Sequence, residues 1–136
     1  SDGALVASNP AEVASGAKEI ITMLPSTPHV VDVYTSKTGI FQKIQPDTLC
    51  VDSSTIDPAG SRQMSELAKS KNALYLDAPV SGGVLAAKDA QLTFMVGGEK
   101  SGYDIAEPIL KLLAKKVVHC GPSGITFFCC LTLINY

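Results

Sequence analysis

Alternation of strand-like and helix-like stretches predicts an α/β protein, with a mostly parallel sheet and helices on its faces. Three observations in the 136-residue sequence carry that expectation. Short apolar runs of strand length recur between residues 20 and 120, and segments of helical period separate them. Three of those segments open on the same pair, a small polar residue followed by proline, which reads as an N-cap with proline in the first turn.

Asn9-Pro10 opens a short helix that runs through Ala17. Ile20-Ile21-Thr22-Met23-Leu24 follows as a buried strand, closed by Pro25 because proline has no amide proton for a ladder. Thr27-Pro28 repeats the capping pair, and Val30, Val31, Val33 and Tyr34 fall near helical spacing before a loop at Gly39. Thr48-Leu49-Cys50-Val51-Asp52 is the second strand, after which Asp57-Pro58 starts a helix with Met64, Leu67 and Ala68 on one face. Ala73-Leu74-Tyr75-Leu76-Asp77 is the third, running into a loop with Pro79, Gly82 and Gly83, and Ala86-Ala87 admits a short helix. Residues 92–96 make the fourth strand, and Ser101 caps a helix carrying Ile105, Ile109, Leu110, Leu112 and Leu113. Residues 116–120 make the fifth strand, and from Ile125 the pattern breaks, since Phe127-Phe128-Cys129-Cys130-Leu131 has neither alternation nor a polar face.

Composition narrows the partners. Eleven Lys+Arg against 13 Asp+Glu leave a net charge of −2, and no arginine-rich stretch is present to neutralise a phosphate backbone, so nucleic acid is not an expected ligand. The apolar stretch 125–134 is about half of what a membrane-spanning helix requires, so no membrane partner is expected. Cys50, Cys120, Cys129 and Cys130 form no C-x-x-C pair, and His29 and His119 belong to no H-E-x-x-H pattern, so no metal is expected. Ser1-Asp2-Gly3-Ala4 has neither a charged n-region nor an apolar h-region, so no targeting segment is read in this chain. With 46% hydrophobic residues the chain can bury a core without disulfides.

In an open parallel sheet, ligands bind beyond the carboxyl ends of the strands. Three loops hold those positions: Leu24-Pro25-Ser26-Thr27, Ser53-Ser54-Thr55, and Asp77-Ala78-Pro79-Val80-Ser81-Gly82-Gly83. Two of them have two readings. Ser53-Ser54-Thr55 either prepares the Asp57-Pro58 helix start or offers hydroxyls to a ligand. Ser81-Gly82-Gly83 is either a tight turn or a small-residue nest whose backbone amides face an anion. Gly97-Gly98-Glu99-Lys100-Ser101-Gly102 fails the G-x-G-x-x-G spacing and reads as a strand-to-helix turn. The residues by themselves give an α/β domain with an anion-friendly crevice, and single out no acid, base or nucleophile.

The D-A-P-V-S-G-G run at 77–83 and Leu92-Thr93-Phe94-Met95-Val96-Gly97-Gly98 resemble the β-hydroxyacid dehydrogenase family. Residues 20–25 and Val51-Asp52-Ser53-Ser54-Thr55-Ile56-Asp57-Pro58 fall at the family's spacing, so the resemblance covers residues 3–124. It implies a Rossmann-type NAD-binding domain at 1–124, a non-family tail at 125–136, and a parent enzyme that oxidises 3-hydroxyisobutyrate to methylmalonate semialdehyde with NAD. It further implies a small hydroxy-acid partner, a homo-oligomeric parent, and mitochondrial-matrix valine breakdown. By the same resemblance Ser81, Gly82 and Gly83 bind the substrate carboxylate, and Leu24, Pro25 and Thr55 lie on the cofactor side. His29 joins them at a position where the family usually has Asn.

Two departures accompany the match. The family's first strand and G-x-G-x-x-G loop are not in this sequence, and neither is the family's C-terminal helical domain, so the expectation is the later part of the Rossmann domain, without its first β-α-β unit. The family's lysine pattern begins at Gly121-Pro122-Ser123-Gly124, but then Thr126 stands for Gly, Cys130 for the catalytic Lys and Ile134 for Asn. These departures imply a fragment that is inactive alone, with a non-catalytic dehydrogenase-like binding module as the alternative. A receiver-like domain would need an acidic cluster that Asp52 and Asp77 alone do not supply.

Overall fold

The computed structural model describes residues 3–133, with side chains through Cys129. Six strands are present among them: β1 (Glu19–Thr22), β2 (Leu49–Asp52), β3 (Leu74–Asp77), β4 (Val80–Ser81), β5 (Leu92–Gly97) and β6 (Ala114–Gly121). The helices are α1 (Pro10–Ala14), α2 (Thr27–Thr35), α3 (Pro58–Ser70), α4 (Gly83–Lys88), α5 (Lys100–Leu110) and α6 (Thr126–Leu133), with a 3-10 turn at Ile40–Gln42. No described helix is long and apolar enough to cross a membrane.

Proline sits in the first turn of α1, α2 and α3, where its missing N–H costs nothing. Asn9 Oδ1 accepts from the Glu12 amide at 3.0 Å and Asp57 Oδ1 from the Gly60 amide at 2.8 Å, so two of the three expected caps form as read. At α2 the cap is Ser26 rather than Thr27, and its side chain makes no capping bond. Glu99 rather than Ser101 precedes α5, and that helix ends at Leu110, leaving Leu112 and Leu113 exposed in the following turn.

Strands β1, β2 and β3 are parallel neighbours, with Thr22, Asp52 and Asp77 in one register row at their carboxyl ends. The succession of parallel strands stops there. β3 and β4 are two halves of one extended stretch, and β5 runs antiparallel to both, with Asp77 opposite Gly97 and Ser81 opposite Thr93. The 82–91 connection holds only the short α4, which is too little chain for a crossover, so β5 returns as the second arm of a hairpin. α5 does make a crossover, and β6 lies parallel to β5.

Each face of the sheet carries its own core. Ile20, Cys50 and Tyr75 pack against Val30 and Tyr34 of α2 and Met64 and Ala68 of α3. Tyr34 meets Tyr75 edge-on with ring centroids 5.7 Å apart. On the opposite face Leu49, Val51, Leu76, Phe94 and Val96 pack against Tyr103, Ala106 and Leu110 of α5. α5 does not cover β1, where Ile21 is 47% exposed, and Met23 just past the strand is 69% exposed.

Candidate functional site

The carboxyl ends of β1 and β2 are joined by a hydrogen-bond network centred on Asp52, which is fully buried. Its Oδ1 accepts from the Thr22 hydroxyl at 2.9 Å, the Ser54 hydroxyl at 2.6 Å and the Ser54 amide at 3.2 Å. Its Oδ2 accepts from the Tyr75 hydroxyl at 3.1 Å. The Ser54 oxygen in turn accepts from the Leu24 amide at 2.8 Å. Alternation along each strand puts Thr22, Asp52, Tyr75 and Asp77 on the face covered by α2 and α3. Burial pushes the Tyr34 and Tyr75 phenols well above their ordinary range and the Cys50 thiol up to about 12, so these groups stay neutral.

This network brings two of the three loops together. Leu24 is half-buried beside Ser54, while Pro25, His29 and Thr55 lie exposed around it. His29 Nδ1 shares a 2.7 Å hydrogen bond with the Ser26 hydroxyl. Thr27 Oγ1 accepts from the Asp57 amide at 3.2 Å and ties the starts of α2 and α3 together. The Gly60 position must stay bare, because a Cβ there would sit 2.7 Å from Thr27 Cγ2. Ser53 Oγ is buried at the same edge with no hydrogen-bond partner.

The third loop stands at the same end of the sheet but farther out. Ser81 lies four residues past Asp77 in extended chain, a rise of about 13 Å at ~3.3 Å per residue. Ser81, Gly82 and Gly83 are all exposed. Gly82, at φ +133°, and Gly83, at φ +68°, adopt backbone that favours glycine. Among the described residues no hydrogen bond joins this loop to Leu24, Pro25, His29 or Thr55, so the Ser-Gly-Gly arm stands apart from the residues expected on the cofactor side.

A second buried carboxylate, Asp77, holds the turn that follows β6. It accepts from the Gly124 amide at 3.1 Å and from the Thr126 hydroxyl. Burial pushes its carboxyl above the usual range against the pull of those donors. Thr126 belongs to the stretch read as a tail, yet its hydroxyl is tied to the sheet. The side chains of Cys130 and Ile134 lie outside the described residues. Reading the residues did not find the anchoring roles of Asp52 and Asp77. The signal for them was an Asp closing each of two apolar strands, Leu-Cys-Val-Asp and Leu-Tyr-Leu-Asp.

Known proteins match this chain closely. It is 48% identical over 122 residues to the probable mitochondrial 3-hydroxyisobutyrate dehydrogenase of Dictyostelium discoideum, covering 90% of this chain and 38% of that protein. The mitochondrial 3-hydroxyisobutyrate dehydrogenase of Mus musculus is 47% identical over 122 residues, covering 90% of this chain and 36% of its own length. The solved 3-hydroxyisobutyrate dehydrogenase of Mycobacterium tuberculosis with L-serine superposes at a TM-score of 0.82 with 40% identity, over 91% of this chain and 42% of that one. The chain therefore spans well under half the length of these relatives. The family model described as the NAD binding domain of 6-phosphogluconate dehydrogenase matches residues 1–121, and the chain belongs to that family.

Proposed function

We propose that this chain is the cofactor-facing and carboxylate-holding part of an NAD-dependent 3-hydroxyisobutyrate dehydrogenase. The observation that carries the proposal is the 2.8 Å bond from the Leu24 amide to Ser54, which fastens the β1 and β2 loops into one rim at the carboxyl edge of a parallel sheet. Residues at that rim fit one half of a dinucleotide. Ile21 of β1 and Met23 just after it expose apolar surface, Thr55 supplies an exposed hydroxyl, and the orphaned Ser53 hydroxyl lies buried beneath the rim. The chain itself has no G-x-G-x-x-G turn for the pyrophosphate. NAD, when bound, supplies a hydride acceptor.

Leu24, Pro25, His29 and Thr55 are assigned to the cofactor side, and Ser81, Gly82 and Gly83 to the substrate carboxylate. Exposed backbone amides and a hydroxyl at Ser81 suit an anion, and the positive-φ glycines keep side chains away from it. Oxidation of the hydroxyl also needs a group to take its proton. The family's lysine position holds Cys130, so residues 1–124 are read as the binding part and 125–136 as sequence outside the family pattern. Cys130 also favours a second reading, a dehydrogenase-like module that binds without turnover. The relatives' names support a mitochondrial setting, and valine breakdown in the matrix by a homo-oligomeric parent completes the proposal by the family resemblance alone.

The experiment is a paired binding and turnover assay on the 136-residue chain. NADH fluorescence should change on titration with protein, and 3-hydroxyisobutyrate plus NAD should give no NADH above background. Turnover would overturn the reading of Cys130, and a flat fluorescence titration would overturn the cofactor assignment.

A further inference from the structure

We infer that Asp52 is a positioning residue, whose buried carboxylate sets the placement of the β1 loop against the β2 loop and thereby of Leu24 and Thr55 at the rim. The inference rests on the cofactor reading above, and its structural half stands without it. No ion pair with Asp52 is recorded among the described residues. A buried carboxylate in that position is costly unless hydrogen-bonded, and its donors come from the end of β1 (Thr22), the loop after β2 (Ser54) and the neighbouring β3 (Tyr75).

Proton counting gives the network a direction. A serine or threonine hydroxyl has one proton and two lone pairs. The Ser54 proton goes to Asp52 at 2.6 Å, which leaves its lone pairs for the Leu24 amide at 2.8 Å. The Thr22 proton goes to the same carboxylate at 2.9 Å, so the Tyr34 hydroxyl, 3.0 Å away, donates to Thr22. An acceptor-only group at Asp52 thus orients hydroxyls on both strands. Without it the Ser54 hydroxyl is free to rotate, and any rotation that aims its proton at Leu24 breaks the bond between the loops. Asp52 itself touches no exposed surface, so its influence on a ligand runs through Ser54 and Leu24.

Three variants test this: Asp52→Ala, Asp52→Asn and Ser54→Ala. Asparagine can still offer its oxygen to Thr22 and Ser54 while its amide faces the Tyr75 hydroxyl, so it should rescue much of what alanine loses. The readout is residue-resolved amide hydrogen exchange on the full 136-residue chain, together with NADH titration. Ser54→Ala and Asp52→Ala should speed Leu24 amide exchange by tenfold or more relative to the amides of Cys50 and Tyr75 in the sheet, and weaken NADH binding in parallel. Asp52→Asn should lie nearer the parent on both measures. If Leu24 exchange moves only in step with the core amides, Asp52 is a structural residue and the inference fails. If Asp52→Ala does not fold, Asp52→Ser takes its place, since it keeps a polar group that is too short to hold the Ser54 and Thr22 hydroxyls, and Ser54→Ala serves as the reference for a lost Leu24 bond; Leu24 exchange in Asp52→Ser that moves only with the core amides then overturns the inference. If the parent chain binds no NADH, the cofactor reading fails, while the exchange comparison still decides the loop-positioning role.

Discussion

Asp52 and Asp77 occupy the same register row on adjacent parallel strands, on the same face, and both are buried. Their surroundings differ. Asp52 takes its donors from Thr22, Ser54 and Tyr75, so it ties three adjacent strands of the sheet to one another. Asp77 takes its donors from Gly124 and Thr126, almost fifty residues along the chain, so it pins the turn after β6 onto the end of β3. Here burial outweighs the donors and raises the carboxyl's pKa. One residue type at one topological position therefore does two jobs, sideways registration of neighbouring loops and closure of a long excursion.

The comparison breaks most visibly on truncation. Asp52→Ala leaves several buried donors without an acceptor, at about 1–3 kcal/mol for each one that water cannot reach, and a net loss of about 3–5 kcal/mol is expected. Asp77→Ala orphans fewer groups and also removes a carboxylate whose burial is already unfavourable, so its loss should be the smaller. Urea midpoints with unchanged m-values measure both. An equal or larger loss at Asp77 would show that the long-range tie, and not the registration of the strand ends, dominates this edge.

Next in size is Gly97, opposite Asp77. A Cβ there would lie 2.9 Å from Asp77 Oδ2 and 3.0 Å from Thr126 Cγ2. Gly97→Ala must push the carboxylate off its donors, with an expected cost of about 1–3 kcal/mol. Combining it with Asp77→Ala relieves the crowding, so the two costs should fall short of additivity by at least 0.5 kcal/mol on the order seen for residues in contact. Strict additivity would refute the crowding argument.

Where reading the residues succeeded, local signals agreed with the long-range outcome. Proline after a capping residue placed three helices, and apolar runs placed β1 to β3 in parallel order. The antiparallel return of β5 was lost because Leu92-Thr93-Phe94-Met95-Val96 reads equally well as a buried strand of either direction, and only the length of the connection decides. The rim at Leu24 and Ser54 was legible from strand order. The network beneath it was not, since an Asp at a strand end looks the same in sequence whether it faces water or four donors. Distance also hid the Asp77 tie, because nothing local to Leu-Tyr-Leu-Asp names Gly124 as its partner.

A smaller effect at Asp77 is read through pH. Asp77 has a native pKa above that of the unfolded chain, so between those two values the native state binds more protons. Stability contributed at this site therefore falls as pH rises from the ordinary aspartate range through the raised native value. Asp77→Asn should flatten that fall when urea midpoints are followed upward from about pH 4, the ordinary Asp range. A variant with the parent's slope would move the titrating group elsewhere.

The smallest stability change belongs to the Ser-Gly-Gly arm, where the expected effect is on binding. Gly82 is a poor place to probe it, because its φ of +133° and the 2.7 Å approach of an added Cβ to Ala86 mean that any side chain distorts the turn. Ser81→Ala changes an exposed hydroxyl on an intact backbone and should alter the urea midpoint by no more than about 0.5 kcal/mol in stability. If Ser81 holds a carboxylate, titration with 3-hydroxyisobutyrate should shift the Gly82 and Gly83 amide resonances in the parent and require several-fold more ligand in Ser81→Ala. Leu24 and Thr55 amides should stay still in both, since Ser81 stands about 13 Å beyond the Asp77 row by strand rise and no hydrogen bond among the described residues joins the arm to them. Shifts confined to Leu24 and Thr55 would reverse the division, placing the hydroxy acid at the rim and leaving Ser81, Gly82 and Gly83 as the turn that leads into α4.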